Sequence, residues 1–326
     1  MHTELTFRAL ADATRLRIMR LLGSMELAVG ELAQVLRQSQ PRVSRHVAIL
    51  CDARLAERRR EGSWVFLRAA DGQQNALAAA VARTLATAET EDAAFADLCR
   101  ADREQLGTIR HAREENAAAY FAQQAAGWDE LRKLHSPDLI VEEALAAALE
   151  DESLGQMLDI GTGTGRMAEL FAARAERVVA LDKSPEMLRV ARAKLQHLPA
   201  DRIELVQGDF HNLPFAAQRF STAMLHQVLH FALDPARAVS EAARVLEPGG
   251  RIVIVDFAAH EREELRERHA HTRLGFSDAA ISQLLRASGL TPQPPVALEG
   301  GELVVKIWMG RKPQTALRPA EKRVRA

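Results

Sequence analysis

The sequence predicts an α/β protein in two parts: a helix-turn-helix with a β-wing, then a mainly parallel sheet with helices on both faces. Three observations carry that prediction. Residues 7–68 show helical apolar spacing that gives way to two strand-like runs around a glycine turn. From Gln156 onward, short apolar runs end in Gly, Asp or Gln and alternate with helical stretches, the pattern of parallel strands and their crossovers. The chain has 326 residues, 47% apolar and 27% charged, enough for two packed domains and too apolar for a disordered chain.

Composition removes several classes. Aromatics are only 5%, which argues against an aromatic-rich β protein. The two cysteines, Cys51 and Cys99, are too few for a disulfide framework or a four-thiolate zinc site. No apolar run approaches the roughly 18 residues that cross a bilayer, and the first seven residues lack a signal peptide's basic and apolar segments. A cytoplasmic location is expected. The net charge of −1 hides an asymmetry: residues 1–70 hold twelve arginines and no lysine against seven acids. An Arg-rich first segment on a neutral chain suggests an anionic partner, the alternative being a solvated charged surface.

Apolar positions from Phe7 to Leu22 are spaced for helices, with Arg8, Arg15, Arg17 and Arg20 opposite. Asp12 can cap the second of two helices there. A short helix is expected over 31–36. Another runs from Arg42 to about Cys51, with Ser39 as N-cap and Pro41 in the first turn. Residues 55–60 and 64–68 read as the strands of a β-wing around Gly62. An Ala-rich helix is expected from Asp71 to about Ala94. The stretch 95–155 stays helical, with breaks near Gly107, Gly127 and Pro137. Strands follow at 157–160, 178–181, 203–206, 221–226 and 251–255. A last strand at 303–308 has no helix after it, as for an edge or antiparallel insertion. The chain is expected to divide into 1–95 (winged helix-turn-helix), 96–135 (helical linker), 136–312 (parallel-sheet domain) and 313–326 (loose basic tail), with the boundary loosely near residue 105.

Gly161-Thr162-Gly163-Thr164-Gly165 follows a strand and opens a helix near Arg166. Glycines there let the backbone turn sharply and let a ligand approach main-chain N–H groups. A dinucleotide fingerprint would need its third Gly where Arg166 stands. Asp182 ends the next strand and can accept both hydroxyls of a ribose. Asp209 is placed for an adenine amino group, with Phe210 beside the ring, and Asp159 for a ligand ammonium. Singly, each Asp reads as a strand-end cap; as a set at three successive strand ends they read as a site.

This set resembles the class I S-adenosylmethionine-dependent methyltransferases of the ubiquinone-biosynthesis (UbiE) and methyltransferase-11 type, over about residues 115–310. Residues 158–166 resemble the family's first motif, 182–188 the second strand end and its helix, Gly208-Asp209 the third, and 243–250 a late motif whose glycine pair leads into strand five. The resemblance implies a Rossmann-like fold with a mainly parallel seven-stranded sheet. It implies S-adenosyl-L-methionine as cofactor, with S-adenosyl-L-homocysteine as product, held by Asp159, Gly161, Thr162, Gly163, Gly165, Asp182, Lys183, Met187, Asp209, Phe210 and Gln227. Tyr120, Phe121 and Trp128 resemble the helical segment that covers the cofactor. His226 and His230, just past strand four, are the candidate catalytic residues for a small-molecule methyl acceptor. A second cluster, with His260, His269, His271 and Arg273, suggests a polar or acidic acceptor, the alternative being a solvated helix. No metal is expected, since His269 and His271 are two apart and point to different faces of a helix.

Residues 7–68 resemble the arsenical-resistance-type (ArsR/SmtB) winged-helix repressors, through 9–18, 31–33, 39–46 and 55–62. The resemblance implies double-stranded operator DNA as partner and a homodimer paired through terminal helices. Gln40, Arg42, Ser44, Arg45 and His46 would face the major groove, and Arg58, Arg59, Arg60 and Trp64 would belong to the wing. The family's paired-cysteine stretch is here Glu26-Leu27-Ala28-Val29-Gly30-Glu31-Leu32, without thiolates. That argues against metal or arsenic sensing by the known routes. Two functions are expected: a regulator carrying an active methyltransferase domain, or a catalytically silent repressor that senses S-adenosylmethionine or S-adenosylhomocysteine.

Overall fold

A computed structural model of the chain describes residues 2–23, 27–61, 64–70, 75–125, 138–150, 153–199, 202–299 and 302–314. They fall into two compact units, residues 1–119 with 261–263, and residues 120–260 with 264–326.

The first unit opens with α1 (His2–Leu10) and α2 (Ala13–Leu22), divided where the sequence places Asp12. Asp12 is extended, and its carboxylate accepts the Arg15 N–H at 3.1 Å, a cap of about 1 kcal/mol. The short β1 (Leu27–Ala28), α3 (Val29–Val35) and α4 (Gln40–Asp52) follow. Ser39 occupies the N-cap of α4, yet its hydroxyl makes no cap hydrogen bond, contrary to expectation. Pro41 has no N–H to offer, and Arg42 N–H bonds the Ser39 carbonyl at 3.0 Å, so the turn closes through the main chain. The wing strands β2 (Ala56–Glu61) and β3 (Trp64–Ala69) pair antiparallel, and β1 adds to the other side of β3.

The Ala-rich segment is shorter than its composition suggests. Helix α5 covers Ala76–Glu91, with Asn75 accepting Ala78 N–H, and Asp92 is extended. Asp92 then accepts the N–H groups of Ala94 and Phe95 and starts α6 (Ala93–Gln124). This corrects the single helix expected to about Ala94: an Asp able to cap outbids helix propensity at that point. The break expected near Gly107 does not occur, because α6 runs straight through it. Leu106 beside it is buried, and Asp102 one turn earlier is clamped by Arg17 of α2 through two N–H groups. Such ties exceed the roughly 1 kcal/mol that a mid-helix Gly costs. Glu89 of α5 pairs with Arg20 at 2.5 Å and with Arg103 of α6.

The second unit is a sheet covered on both faces. After α7 (Asp138–Ala148) come β4 (Gln156–Ile160), α8 (Arg166–Phe171), β5 (Arg177–Asp182), α9 (Pro185–Leu195), β6 (Ile203–Gln207) and β7 (Phe220–His226). Then follow α10 (Pro235–Val245), β8 (Leu246–Phe257), α11 (Glu264–Arg268), α12 (Asp278–Ala287), β9 (Thr291–Pro292), β10 (Val296–Leu298) and β11 (Val305–Arg311). The main path is β10-β11-β8-β7-β4-β5-β6, with the two-residue β9 beside β11 as an eighth strand. β4 to β8 run parallel, and β11 is the antiparallel insertion that the sequence suggests. Alternation sorts the core. Leu158, Ile160, Leu225 and Ile254 pack on α10 and α12, whereas Met157, Ala180, Met224 and Val253 pack on α7, α8 and α9. The Gly249-Gly250 pair lies inside β8 as a bulge against β7.

No helix among the described residues is long and apolar enough to cross a membrane. The tail from 315 and most of the expected linker end, 126–135, lie outside the described residues.

Candidate functional site

Five parallel strands deliver polar groups to one end of the sheet. β4 carries Asp159, β5 ends on Asp182, β6 leads into Gly208-Asp209, β7 ends on His226 and β8 carries Asp256 next to its last residue. The chain order reverses at β4, which has β5 on one side and β7 on the other. Doubly wound sheets bind ligands at such a switch point.

The glycine loop sits there. Gly161, Gly163 and Gly165 have φ of 71°, 54° and 84°, in the left-handed region. Two of these glycines are also needed for close packing. A Cβ on Gly161 would lie 2.3 Å from Val228, and one on Gly165 would lie 2.9 Å from Leu195 of α9. The loop is tied to its neighbours by hydrogen bonds. Gly161 and Thr162 N–H both donate to the Leu181 carbonyl, at 2.8 and 2.9 Å, and Thr162 hydroxyl donates to Asp159 at 2.6 Å. Gly163 N–H donates to Asp182 at 2.8 Å. Arg166, just after the loop, forms a two-pronged pair with Glu142 of α7.

The acids differ in electrostatics. Burial pushes Asp182 above the usual carboxylate range, against the N–H groups of Ser184, Gly163 and Lys183 that bond it. Asp209 is held far below that range, first by His211, whose Nδ1 lies 3.0 Å away, and also by Lys183 Nζ at 3.1 Å. Asp159 is 1% exposed. Met187 is buried in the first turn of α9, Lys183 is half exposed, and Phe210 lies partly buried, its ring 4.4 Å from that of His211.

Past β7 the chain folds back over the loop. Gln227 is buried with φ 51°, and its side-chain amide nitrogen makes no hydrogen bond. A buried N–H2 without an acceptor costs free energy unless a ligand supplies one. His226 is also buried. His230 lies in a 3-10 turn, 2% exposed, with Nδ1 2.7 Å from Asp256. The alternative of a solvated helix over 260–273 does not hold. Helix α11 is only five residues long, and His271 and Arg273 are buried, with the His271 ring stacked 4.1 Å from that of His230. Phe121, from the end of α6, meets Phe231 edge-on at 4.9 Å. The Tyr120 side chain and Trp128 lie outside what is described. Sequence reasoning passed over Asp256, although it closes an apolar run as Asp182 does.

In the first unit, α4 buries Val43, Val47 and Leu50 and exposes Gln40, Arg42, Ser44 and Arg45 on its outer face. His46 stands apart from them, only partly exposed, with Nδ1 3.7 Å from Asp12. Arg58 is exposed on β2; the side chains of Arg59, Arg60 and Trp64 are outside the described set. No group of three or more His, Cys, Asp or Glu that could hold a metal occurs among the described residues.

Comparison with known proteins fits this division. Residues 12–58 match the model of the bacterial regulatory protein arsR family, and residues 158–254 match a methyltransferase domain model. A 37.1 kDa protein in transposon TN4556 of Streptomyces fradiae is 36% identical over 175 residues, covering 51% of this chain and 49% of that protein. The demethylmenaquinone methyltransferase of Clavibacter sepedonicus is 34% identical over 143 residues, 43% of this chain and 58% of the enzyme. The chain thus spans only about half the length of these relatives. The N-methyltransferase NodS of Bradyrhizobium japonicum, solved with S-adenosyl-l-homocysteine, shares the fold over 61% of this chain and 100% of its own, with a TM-score of 0.51 at 20% identity. The chain joins an arsR-family helix-turn-helix domain to a class I methyltransferase domain of Rossmann-like fold.

Proposed function

We propose that this protein is a DNA-binding regulator whose second domain binds S-adenosylmethionine and transfers its methyl group to a small-molecule acceptor. One observation carries the reading. A glycine loop with three left-handed residues lies at the switch point, bonded to the Asp182 carboxylate and packed against Val228, whose neighbour Gln227 keeps a buried side-chain amide nitrogen without a hydrogen bond. These residues fit the proposed ligand. Asp182 would accept the ribose hydroxyls, Asp209 and Phe210 would meet the adenine, and Asp159 with Thr162 would hold the ammonium end. Gly161, Gly163 and Gly165 would give it close main-chain approach. Lys183, Met187, Gln227, Tyr120 and Trp128 would complete the enclosure. When bound, the donor supplies an electrophilic methyl, so the protein's task is alignment and proton removal. His226 and His230 would stand at the acceptor.

The DNA-binding part of the proposal rests on the exposed α4 face, with Gln40, Arg42, Ser44 and Arg45 outermost and His46 at its flank. Arg58, Arg59, Arg60 and Trp64 would act in the wing, and a homodimer would present two such faces to operator DNA. Calorimetry of the full chain with S-adenosylhomocysteine tests the ligand. Saturable one-to-one binding that weakens at least tenfold in Asp182→Ala is expected. No heat, or equal affinity in the variant, would refute the site.

A further inference from the structure

We infer that Asp256 is a positioning residue that sets His230 as a general base, and that the acceptor is a neutral hydroxyl of the phenol type. The inference rests on the methyl-donor reading above. Asp256 is fully buried at the end of β8; it accepts two main-chain N–H groups, from His230 at 3.1 Å and Phe257 at 2.8 Å, and lies 2.7 Å from His230 Nδ1. With two main-chain N–H groups already donating to it, the carboxyl is the acceptor toward the ring nitrogen as well. Nδ1 must then carry the hydrogen, and Nε2 holds the lone pair. The ring is immobilised as well. It stacks on His271 at 4.1 Å, lies 4.0 Å from Phe231 and 5.2 Å from Phe257, and its own carbonyl accepts the N–H groups of Thr272 and Arg273. Val228, two residues before His230, is the side chain that a Cβ on Gly161 would strike, so the base stands close in sequence to the residue packed against the glycine loop.

The acceptor class follows from what such a base can do. A carboxylate acceptor is already ionised and needs none. A neutral amine attacks first and sheds its proton afterwards. A phenol, with a pKa near 10, needs its proton taken during attack, and a neutral imidazole can do that as the hydroxyl acidifies in the transition state. Nε2 takes the O–H proton, and the oxygen's freed electron pair forms the O–CH3 bond. The C–S bond breaks with its pair returning to sulfur, which leaves a neutral thioether. The imidazolium is balanced by Asp256 until it releases its proton to solvent.

The test uses the full chain labelled with 15N-histidine. Long-range 1H–15N correlation is expected to show one ring in the Nδ1–H tautomer, its signals absent in His230→Gln. An Nε2–H or averaging tautomer would overturn the dyad, whether or not any ligand binds. Asp256→Asn, which can also donate to Nδ1, is expected to lose that signature. With S-adenosylmethionine and 2-naphthol or catechol as probes, it should lower kcat about a hundredfold with KM held. Both variants should keep wild-type affinity for S-adenosylhomocysteine, which also reports folding. A wild-type chain that binds S-adenosylhomocysteine but methylates neither probe would overturn the acceptor class. A chain that binds none would instead refute the methyl-donor reading and leave the tautomer result to decide the dyad.

Discussion

At the scale of single residues, the site separates carboxylates that look alike in sequence. Asp182 and Asp209 both close strand runs, yet burial raises the first and His211 with Lys183 lowers the second. The ionised form of Asp182 is the one that accepts two ribose hydroxyls. With its pKa raised, it is protonated at a pH where an exposed Asp is still charged. Binding of S-adenosylhomocysteine is therefore expected to weaken as pH falls through this raised value, at a higher pH than an exposed Asp would set. Asp182→Asn should bind more weakly, by about one charge-assisted hydrogen bond or tenfold and more, and its affinity should lose this acid dependence. Calorimetry across pH checks both; a parallel fall in the variant would assign the dependence to another group. Asp209, held low, should contribute nothing in that window.

At the scale of elements, the glycine loop and the recognition helix were legible because each is encoded within a few adjacent residues. Asp159 and the glycines lie on one short stretch, Asp182 and Asp209 each follow a recognisable apolar run, and α4 carries its apolar stripe and Arg face in one turn-by-turn pattern. What stayed hidden was pairing at a distance. Arg17 meets Asp102 across 85 positions and His230 meets Asp256 across 26, and no local pattern marks either pair. Likewise Asp92 reads as one acid in an Ala-rich run until its carboxylate is seen capping α6. Two variants probe the legible elements. Gly161→Ala places a Cβ 2.3 Å from Val228 at φ 71°, and should cost about 1–3 kcal/mol in a denaturant melt. Adding Val228→Ala should recover the steric part and leave the backbone part; full recovery would deny that the left-handed conformation matters. Arg42→Ala or Arg45→Ala should weaken binding to the chain's own upstream DNA and lower the salt slope by about one per lost phosphate contact. Unchanged mobility shifts at several salt concentrations would remove α4 from the interface.

At the scale of the whole molecule, one chain carries an arsR-family domain and a methyltransferase domain, and the question is whether they share free energy. A catalyst that is merely tethered to a DNA reader predicts that each ligand binds as though the other were absent. The sensing alternative is stricter, because coupling between two sites is reciprocal. If S-adenosylhomocysteine changes the affinity for upstream DNA by some factor, saturating DNA must change the affinity for S-adenosylhomocysteine by the same factor. Typical couplings of roughly 5–150-fold would be plain in either titration. The size is bounded by the ligand's preference between two conformations, since a ligand that binds both equally shifts nothing however tightly it binds. Titrating the full chain with S-adenosylhomocysteine, with and without DNA, and with DNA at zero and saturating S-adenosylhomocysteine, therefore decides between them. Matched displacements of both curves establish sensing, and Asp182→Ala should then lower the occupancy that drives the shift without altering DNA affinity in the ligand's absence. Superimposed curves in both directions leave two functions on one polypeptide, and the buried His230–Asp256 pair is then best explained by turnover alone.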